Sequence, residues 1–237
     1  MAKNVGFACS LKRQWLDKAV QLLQDDLDEA EYKSALNEYL SYEIESPTRL
    51  RKTCKILMDV WNNNSVEIRP VRNTALELIE KYPECSATIH LCMMCVAYPV
   101  VADVCRLMSR LFEFSDEITN TVLRQKLYDE WGERGTLQTT CRRVTLTLRE
   151  LDILECPTKG RYKLIRKTIN KDSVISFLLY IAMKKDGNAY YTFSDLNTLS
   201  LLFPFDFKIN KELLMSDDRF QCTNFGGELT VSLKENG

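Results

Sequence analysis

The chain has only one histidine, and this scarcity restricts the chemistry that it can perform. His90 lies in the most apolar part of the sequence, with no serine or aspartate beside it at the spacing of a catalytic motif. A histidine in such surroundings is typical of a core residue whose ring is hydrogen-bonded, and not of a general base.

Glycine is also scarce, with eight residues in 237. Neither of the glycine-rich patterns that hold phosphates, G-x-x-x-x-G-K and G-x-G-x-x-G, occurs in the chain. With no phosphate loop and no histidine suited to catalysis, we predict that the protein is not an enzyme and binds no cofactor.

No apolar run is long enough to cross a bilayer, which needs about 20 residues. The longest candidate covers residues 87–101, is interrupted by His90 and Pro99, and is followed by Asp103 and Arg106. A helix buried by its neighbours explains this run better than a membrane span. We therefore expect no membrane partner.

Cysteine is the residue that is present without an obvious pattern. The nine cysteines are odd in number and irregularly spaced, which favours reduced thiols over a disulfide framework. Residues 1–7 are too short and too soon followed by basic residues for a signal peptide. These features indicate a cytoplasmic protein.

One group of cysteines is a possible zinc site: Cys85, His90, Cys92 and Cys95 follow one another closely. However, ligands crowded into one helix lack the turn that lets thiolates converge on a metal. Small apolar cysteines also suit a tightly packed helix. We therefore predict no metal.

Neither charge sign predominates in the whole chain, whose net charge is −1, but the charges are unevenly distributed. Residues 134–171 contain ten basic and three acidic side chains, a local balance of +7, so the remainder carries −8. Contact with phosphates requires such a concentrated positive surface and not a high overall pI. The basic side chains are Arg134, Arg142, Arg143, Arg149, Lys159, Arg161, Lys163, Arg166, Lys167 and Lys171.

The first part of the chain, residues 1–113, reads as a helical bundle. Apolar residues recur at helical spacing over residues 10–24, 28–42, 47–61, 71–82 and 85–111. Ser46 and Pro47 form a helix start, and Pro99 predicts a kink or break in the fifth helix. Short connections favour antiparallel neighbours, with the apolar fifth helix at the centre.

Residues 114–170 follow the order of a winged helix: helix, tight turn, helix, hairpin. The first helix is expected over residues 116–131, with Ser115 as its N-cap. The second begins at Thr136 after two glycines. Strands over residues 153–156 and 161–166 then flank a turn that contains Pro157 and Gly160. The residues expected to face inward are Ile118, Val122, Leu127, Trp131, Leu137, Cys141, Val144, Leu148 and Leu151.

The solvent face of the second helix carries arginines and small polar residues. Guanidinium groups on such a helix can enter the major groove of duplex DNA, while cations on the hairpin contact phosphates. Leu146 also points outward and does not fit this interpretation. The predicted DNA-binding residues are Gln138, Thr139, Arg142, Arg143, Arg149, Lys159, Arg161 and Lys163. The alternative is an interaction module whose basic face docks an acidic partner protein.

The last part, residues 171–237, shows three further helical segments followed by a hairpin. Helices are expected over residues 172–184, 193–203 and 211–215, and strands over 220–225 and 228–233 around Gly226-Gly227. This order could represent a second winged-helix-like unit. Because its charges do not cluster, we expect it to pack or dock. The predicted fold class is thus mainly α, with a helical bundle, a winged helix-turn-helix unit and a C-terminal α+β unit.

Four segments resemble a known family. They are residues 10–16 (SLKRQWL), 89–94 (IHLCMM), 98–104 (YPVVADV) and 123–134 (LRQKLYDEWGER). Together they are similar to the BrxA-like proteins of bacterial BREX phage-exclusion systems, over about the first 165 residues. The resemblance implies a cytoplasmic, non-enzymatic DNA-binding component of an antiviral system, which works beside a methyltransferase and ATPases. It implies no particular site residues.

Overall fold

The computed structural model describes residues 6–25, 27–133 and 135–234 of this mainly helical protein. Ten α-helices and eight short strands lie in these ranges. The helices are α1 (Arg13–Gln24), α2 (Glu29–Ser41), α3 (Pro47–Trp61), α4 (Arg69–Lys81), α5 (Ser86–Ala97), α6 (Pro99–Phe112), α7 (Asn120–Trp131), α8 (Gly135–Glu150), α9 (Asp172–Asp186) and α10 (Lys211–Ser216). The strands are β1 (Glu117–Thr119), β2 (Leu154–Thr158), β3 (Arg161–Leu164), β4 (Lys167–Thr168), β5 (Tyr191–Thr192), β6 (Phe205–Asp206), β7 (Phe220–Phe225) and β8 (Glu228–Leu233).

Helices α1 to α5 form the predicted N-terminal bundle, with α5 at its centre. Ten consecutive residues of α5, 86–95, are buried, because α1, α3, α4 and α9 all pack against this helix. The predicted start of α3 is confirmed: Pro47 is its first residue, and the Ser46 hydroxyl accepts a hydrogen bond from the Arg49 amide.

The predicted interruption at Pro99 is a complete break. The chain leaves the helix at Tyr98, and α5 with its preceding turn meets α6 at an angle of 118°. Proline has no amide hydrogen for the helix ladder but suits the first position of a new helix, so α6 begins there. Within the described ranges, no single helix has the length and hydropathy needed to span a membrane. The bent pair of α5 and α6 meets these two criteria only when both helices are taken together.

The order α6, β1, α7, α8, β2, β3 is that of a winged helix. Its three strands form an antiparallel sheet in the order β1-β3-β2, with Ile118 opposite Tyr162. The tight turn between α7 and α8 contains Gly132, whose φ of +77° lies in the left-handed region that glycine tolerates. Trp131 is buried beneath this turn, as predicted, and its indole N–H donates to Asp103 on α6 at 2.8 Å.

The sequence prediction was wrong about the start of α7. Residues 117–119 form β1 instead of a first helical turn, and Thr119, not Ser115, caps the helix by accepting from the Val122 amide. Pairing with β3 satisfies the backbone of these residues outside the helix. The shift turns Val122 outward, to 45% exposure, although it was expected to face inward.

The C-terminal part repeats this arrangement in a reduced form. After α9 the chain forms β5, two 3₁₀ turns, the short helix α10 and the hairpin β7–β8, and the sheet order β5-β8-β7 matches β1-β3-β2. The helix expected over residues 193–203 is therefore absent, because Tyr191 and Thr192 pair with β8 and the 3₁₀ turns occupy 195–198 and 200–202. The hairpin over 220–225 and 228–233 is confirmed.

A small parallel pair joins the two sheet-containing parts. Strand β4, directly after the wing, pairs with β6 from the C-terminal part, with Lys167 opposite Phe205. The returning strand of the wing therefore ends at Leu164 and not at Arg166. Phe112 of α6 stacks on Phe203 beside this pair, with ring centroids 6.4 Å apart. The C-terminal part is thus held against α6.

Candidate nucleic-acid interface

Helix α8 divides its side chains between the core and an outer face. The predicted core stripe is confirmed: Leu137, Cys141, Val144, Leu148 and the following Leu151 are all buried. Burial also raises the pKa of the Cys141 thiol to about 12, so this cysteine stays protonated at neutral pH. The outer face carries exposed Gln138, Thr139, Arg142 and Arg149 together with the half-buried Arg143 and Leu146.

The basic side chains of the segment 134–171 fall into two groups. Four are paired with carboxylates: Arg161 and Lys163 both contact Glu117, at 3.6 and 3.4 Å, Arg166 contacts Asp206, and Lys171 contacts Glu84. These cations are therefore partly neutralised by neighbours within the fold. Arg134 lies outside the described residues.

The second group has no carboxylate partner among the residues that the structure describes. It comprises Arg142, Arg143 and Arg149 of α8, Lys159 at the exposed tip of the wing and the half-buried Lys167 of β4. An unpaired cation at the surface remains free to contact an external anion. The interface predicted from the sequence is thus divided. Within the described residues, the cations on the outer face of α8 and at the wing tip have no carboxylate partner, whereas those on the returning strand are paired.

The α8 face also forms one wall of a cleft of about 430 Å³. Thr139, Arg142, Arg143 and Leu146 line this wall, and the start of α3 lines the other. The cleft is not lined by the other predicted DNA-binding residues, Arg149, Lys159, Arg161 and Lys163. Gln138 lines a smaller depression between α7 and α8. The residues of the opposite wall and floor are Ala8, Cys9, Ser10, Ser46, Thr48, Arg49 and Lys52.

The segment before α1 forms the floor of the cleft and connects its walls. The Leu11 amide donates to Thr147 Oγ1 of α8 at 2.9 Å, and Thr147 in turn donates to the Arg143 carbonyl oxygen at 3.0 Å. Cys9 Sγ lies 4.0 Å from the carbonyl oxygen of Arg49 on α3. The segment before α1 therefore contacts both α8 and α3.

Sequence reasoning missed the contribution of α3, although its composition contains a signal. The first two turns include Arg49, Arg51 and Lys52 and no acidic residue. Cations are unfavourable near the positive end of the helix dipole, by about 0.3–1 kcal/mol each. A helix that violates this local preference has cations there for another reason, and a site for an anion is one.

The smaller depression lies between α7 and α8. Asn120, Thr121 and Arg124 of α7 face Gln138 and Arg142 of α8 across about 130 Å³. The Asn120 side chain donates to the Tyr162 hydroxyl at 2.8 Å, which links the start of α7 to the wing. Arg124 is therefore a further cation beside the outer face of α8, and it was not among the residues predicted from the sequence.

The cysteines and the histidine of α5 are buried and pack in the hydrophobic core. His90 is fully buried, its Nε2–H donates to Asp17 at 2.8 Å, and its ring meets Trp61 edge to face. Desolvation raises the pKa of the Cys92 thiol well above its usual value. In the described ranges, no three histidine, cysteine or acidic residues are grouped as metal ligands.

Comparisons of this chain with protein-family models, with curated proteins and with solved structures find no significant match.

Proposed function

We propose that the protein is a non-enzymatic DNA-binding component of a bacterial antiphage system of the BREX type. It contacts duplex DNA through the winged helix formed by α6 to β3. Arg142, Arg143 and Thr139 enter the major groove, and Lys159 contacts the phosphate backbone from the wing. The defence role follows from the family resemblance, and the binding role from the residues.

The observation that supports DNA binding is the unpaired state of the α8 cations. Arg142 and Arg143 have no carboxylate partner in the part of the chain that the structure describes, and both point into an open cleft. A basic face whose only purpose is solvation gains nothing from holding several cations together against their mutual repulsion. An external polyanion removes that repulsion.

Charge reversal on α8 tests this proposal. We expect Arg142→Glu/Arg143→Glu to abolish the mobility shift of duplex DNA of many sequences alike, because two introduced carboxylates repel the phosphates of any duplex. The matched control is Lys33→Glu/Arg51→Glu on α2 and α3, outside the cleft, where both side chains are exposed and have no ion-pair partner in the described ranges. An unchanged shift in the α8 variant contradicts the proposal.

One observation favours a second candidate function, the docking of an acidic protein. Leu146 is half-buried about one helical turn after Arg142 and Arg143 and lines the same cleft. An apolar side chain beside cations suits an acidic peptide that also carries apolar residues. A pull-down from the host with and without nuclease distinguishes the two functions. Partners that persist after nuclease treatment and are lost with Leu146→Asp support docking.

A further inference from the structure

The cleft between α3 and α8 combines cations from two parts of the molecule. We propose that it holds the phosphate backbone of one DNA strand, so that the helical bundle takes part in binding through Arg49 and Lys52. This inference rests on the proposed DNA-binding function and extends it. The bundle is then part of the DNA-binding surface and not only a scaffold for the winged helix.

The charges in the cleft point to an anion. Arg49 and Lys52 on one wall face Arg142 and Arg143 on the other, and no aspartate or glutamate is among the lining residues that the structure describes. None of these four side chains has an ion-pair or hydrogen-bond partner in the described ranges. Four like charges around one cavity repel one another until a counter-charge enters.

Polar groups without charge complete a site for phosphate oxygens. Ser10, Thr48 and Thr139 line the same cavity, and hydroxyls are common donors to phosphate in protein–DNA complexes. The Thr139 hydroxyl donates to the Thr136 carbonyl oxygen, so the hydroxyls available as donors are those of Ser10 and Thr48. Helix α3, 15 residues long, begins at this wall and adds the partial positive charge of its dipole. The cations in its first turns, unfavourable for the helix alone, are stabilised when phosphate is present.

The geometry favours a DNA strand over a free small anion. The cleft wall formed by α8 is the same face that is expected to meet the major groove, and the phosphates of a strand run along each side of that groove. A strand that flanks the groove would therefore pass between α8 and α3. The segment that forms the floor contacts both walls, through Leu11 to α8 and through Cys9 to α3.

The salt dependence of DNA binding tests the inference. The probe is a fluorescein-labelled mixed-sequence duplex of about 20 base pairs, or two helical turns, titrated between about 50 and 200 mM salt. Arg49→Gln/Lys52→Gln is expected to lower the slope of log affinity against log salt by about two, because each lost phosphate contact removes about 0.9. Lys33→Gln/Arg51→Gln removes the same charge from exposed positions of α2 and α3 outside the cleft, where neither side chain has an ion-pair partner in the described ranges, and is expected to keep the wild-type slope.

Two further variants separate this inference from the proposed function. Arg49→Lys keeps the charge and is expected to keep the slope, which shows that charge and not helix packing is responsible. If Arg142→Gln/Arg143→Gln loses binding while Arg49→Gln/Lys52→Gln keeps the wild-type slope, the inference is overturned and the proposed function stands. If the α8 variant binds normally, the proposed function itself fails. Equal losses in the cleft variant and its control also overturn the inference. Thermal melting confirms that each variant is folded.

Discussion

At the scale of single residues, burial determines which groups can take part in function. His90, the one histidine, is enclosed by α1, α3 and α5, where it donates to Asp17 and packs on Trp61. Desolvation lowers its pKa below the usual value of 6.5, although the neighbouring carboxylate opposes this effect. His90 is consequently neutral in the folded protein at neutral pH, and its role is structural: it packs in the core and hydrogen-bonds Asp17.

The lowered pKa of His90 predicts a dependence of stability on pH. In the unfolded chain His90 binds a proton near pH 6.5, whereas in the folded chain it binds one only at a lower pH. The contribution of His90 to the free energy of unfolding is therefore highest above pH 6.5. It is expected to fall as the pH decreases below about 6.5, by at most about 1.4 kcal/mol per pH unit. Urea unfolding at several pH values measures this slope.

The control for this prediction is His90→Gln, which can still donate to Asp17 but does not titrate. The variant is expected to be less stable than the wild type at neutral pH, since its shape differs from that of the ring. Its stability is expected to change little between about pH 7 and 5, where carboxyl groups with ordinary pKa values stay ionised. Parallel curves for the two proteins would contradict the assignment.

At the scale of elements, pairing between strands changes what a segment contributes. Residues 117–119 become β1 because β3 offers them backbone partners, and this places Glu117 beside Arg161 and Lys163. The wing therefore carries an internal counter-charge on its returning strand, while Lys159 at its tip has no carboxylate partner in the ranges described. The strand β1 in this way reduces the net positive charge of the wing.

Removing that counter-charge is expected to strengthen DNA binding. Glu117→Gln releases Arg161 and Lys163, and an exposed ion pair contributes at most about 1 kcal/mol, so the gain in affinity is expected to reach at most about fivefold. Fluorescence anisotropy with the labelled duplex measures the change. Glu80→Gln on α4 alters the net charge equally and is expected to have a much smaller effect. A weaker complex with Glu117→Gln would show that Arg161 and Lys163 do not face DNA.

At the scale of the whole molecule, α6 connects every part. It packs against α5 of the bundle, against α7, α8 and β1 of the winged helix, and against the 3₁₀ turn at 200–202 from the C-terminal part. Arg13 adds a polar link, donating to Ser86 of α5 at 3.0 Å and lying 3.9 Å from Asp152 after α8. A shared core of this kind couples the folding of the parts.

The central position of α6 predicts a global effect of a cavity within it. Met108 is fully buried, and Met108→Ala is expected to lower the free energy of unfolding by about 2–5 kcal/mol. Because the parts share one core, tryptophan fluorescence and far-UV circular dichroism are expected to report coincident denaturant transitions. Met215→Ala makes the same chemical change at a site that is 68% exposed and is expected to alter stability by less than about 0.5 kcal/mol. Two separate transitions in the wild type would contradict the shared core.

The predictions from sequence succeeded where the signal was local. The N-cap at Ser46, the break at Pro99, the apolar stripe of α8 and the turn at Gly226-Gly227 were identified, because side-chain periodicity and backbone restrictions act over a few residues. Two of the predictions that failed, a helical turn at 117–119 and a helix over 193–203, concern segments whose partners are strands distant in the chain. Local propensity does not contain that information.

The candidate site divides in the same way. The sequence by itself determined the mainly helical fold class, the arginine-bearing face of α8 and the local excess of positive charge, since each depends on the order and spacing of neighbouring residues. Only the tertiary structure decided which cations are free, by placing Glu117 against Arg161 and Lys163, and which are joined, by bringing Arg49 and Lys52 opposite Arg142 and Arg143. The reason is physical: electrostatic interactions depend on distance in space, and about 90 residues separate the two walls of the cleft along the chain.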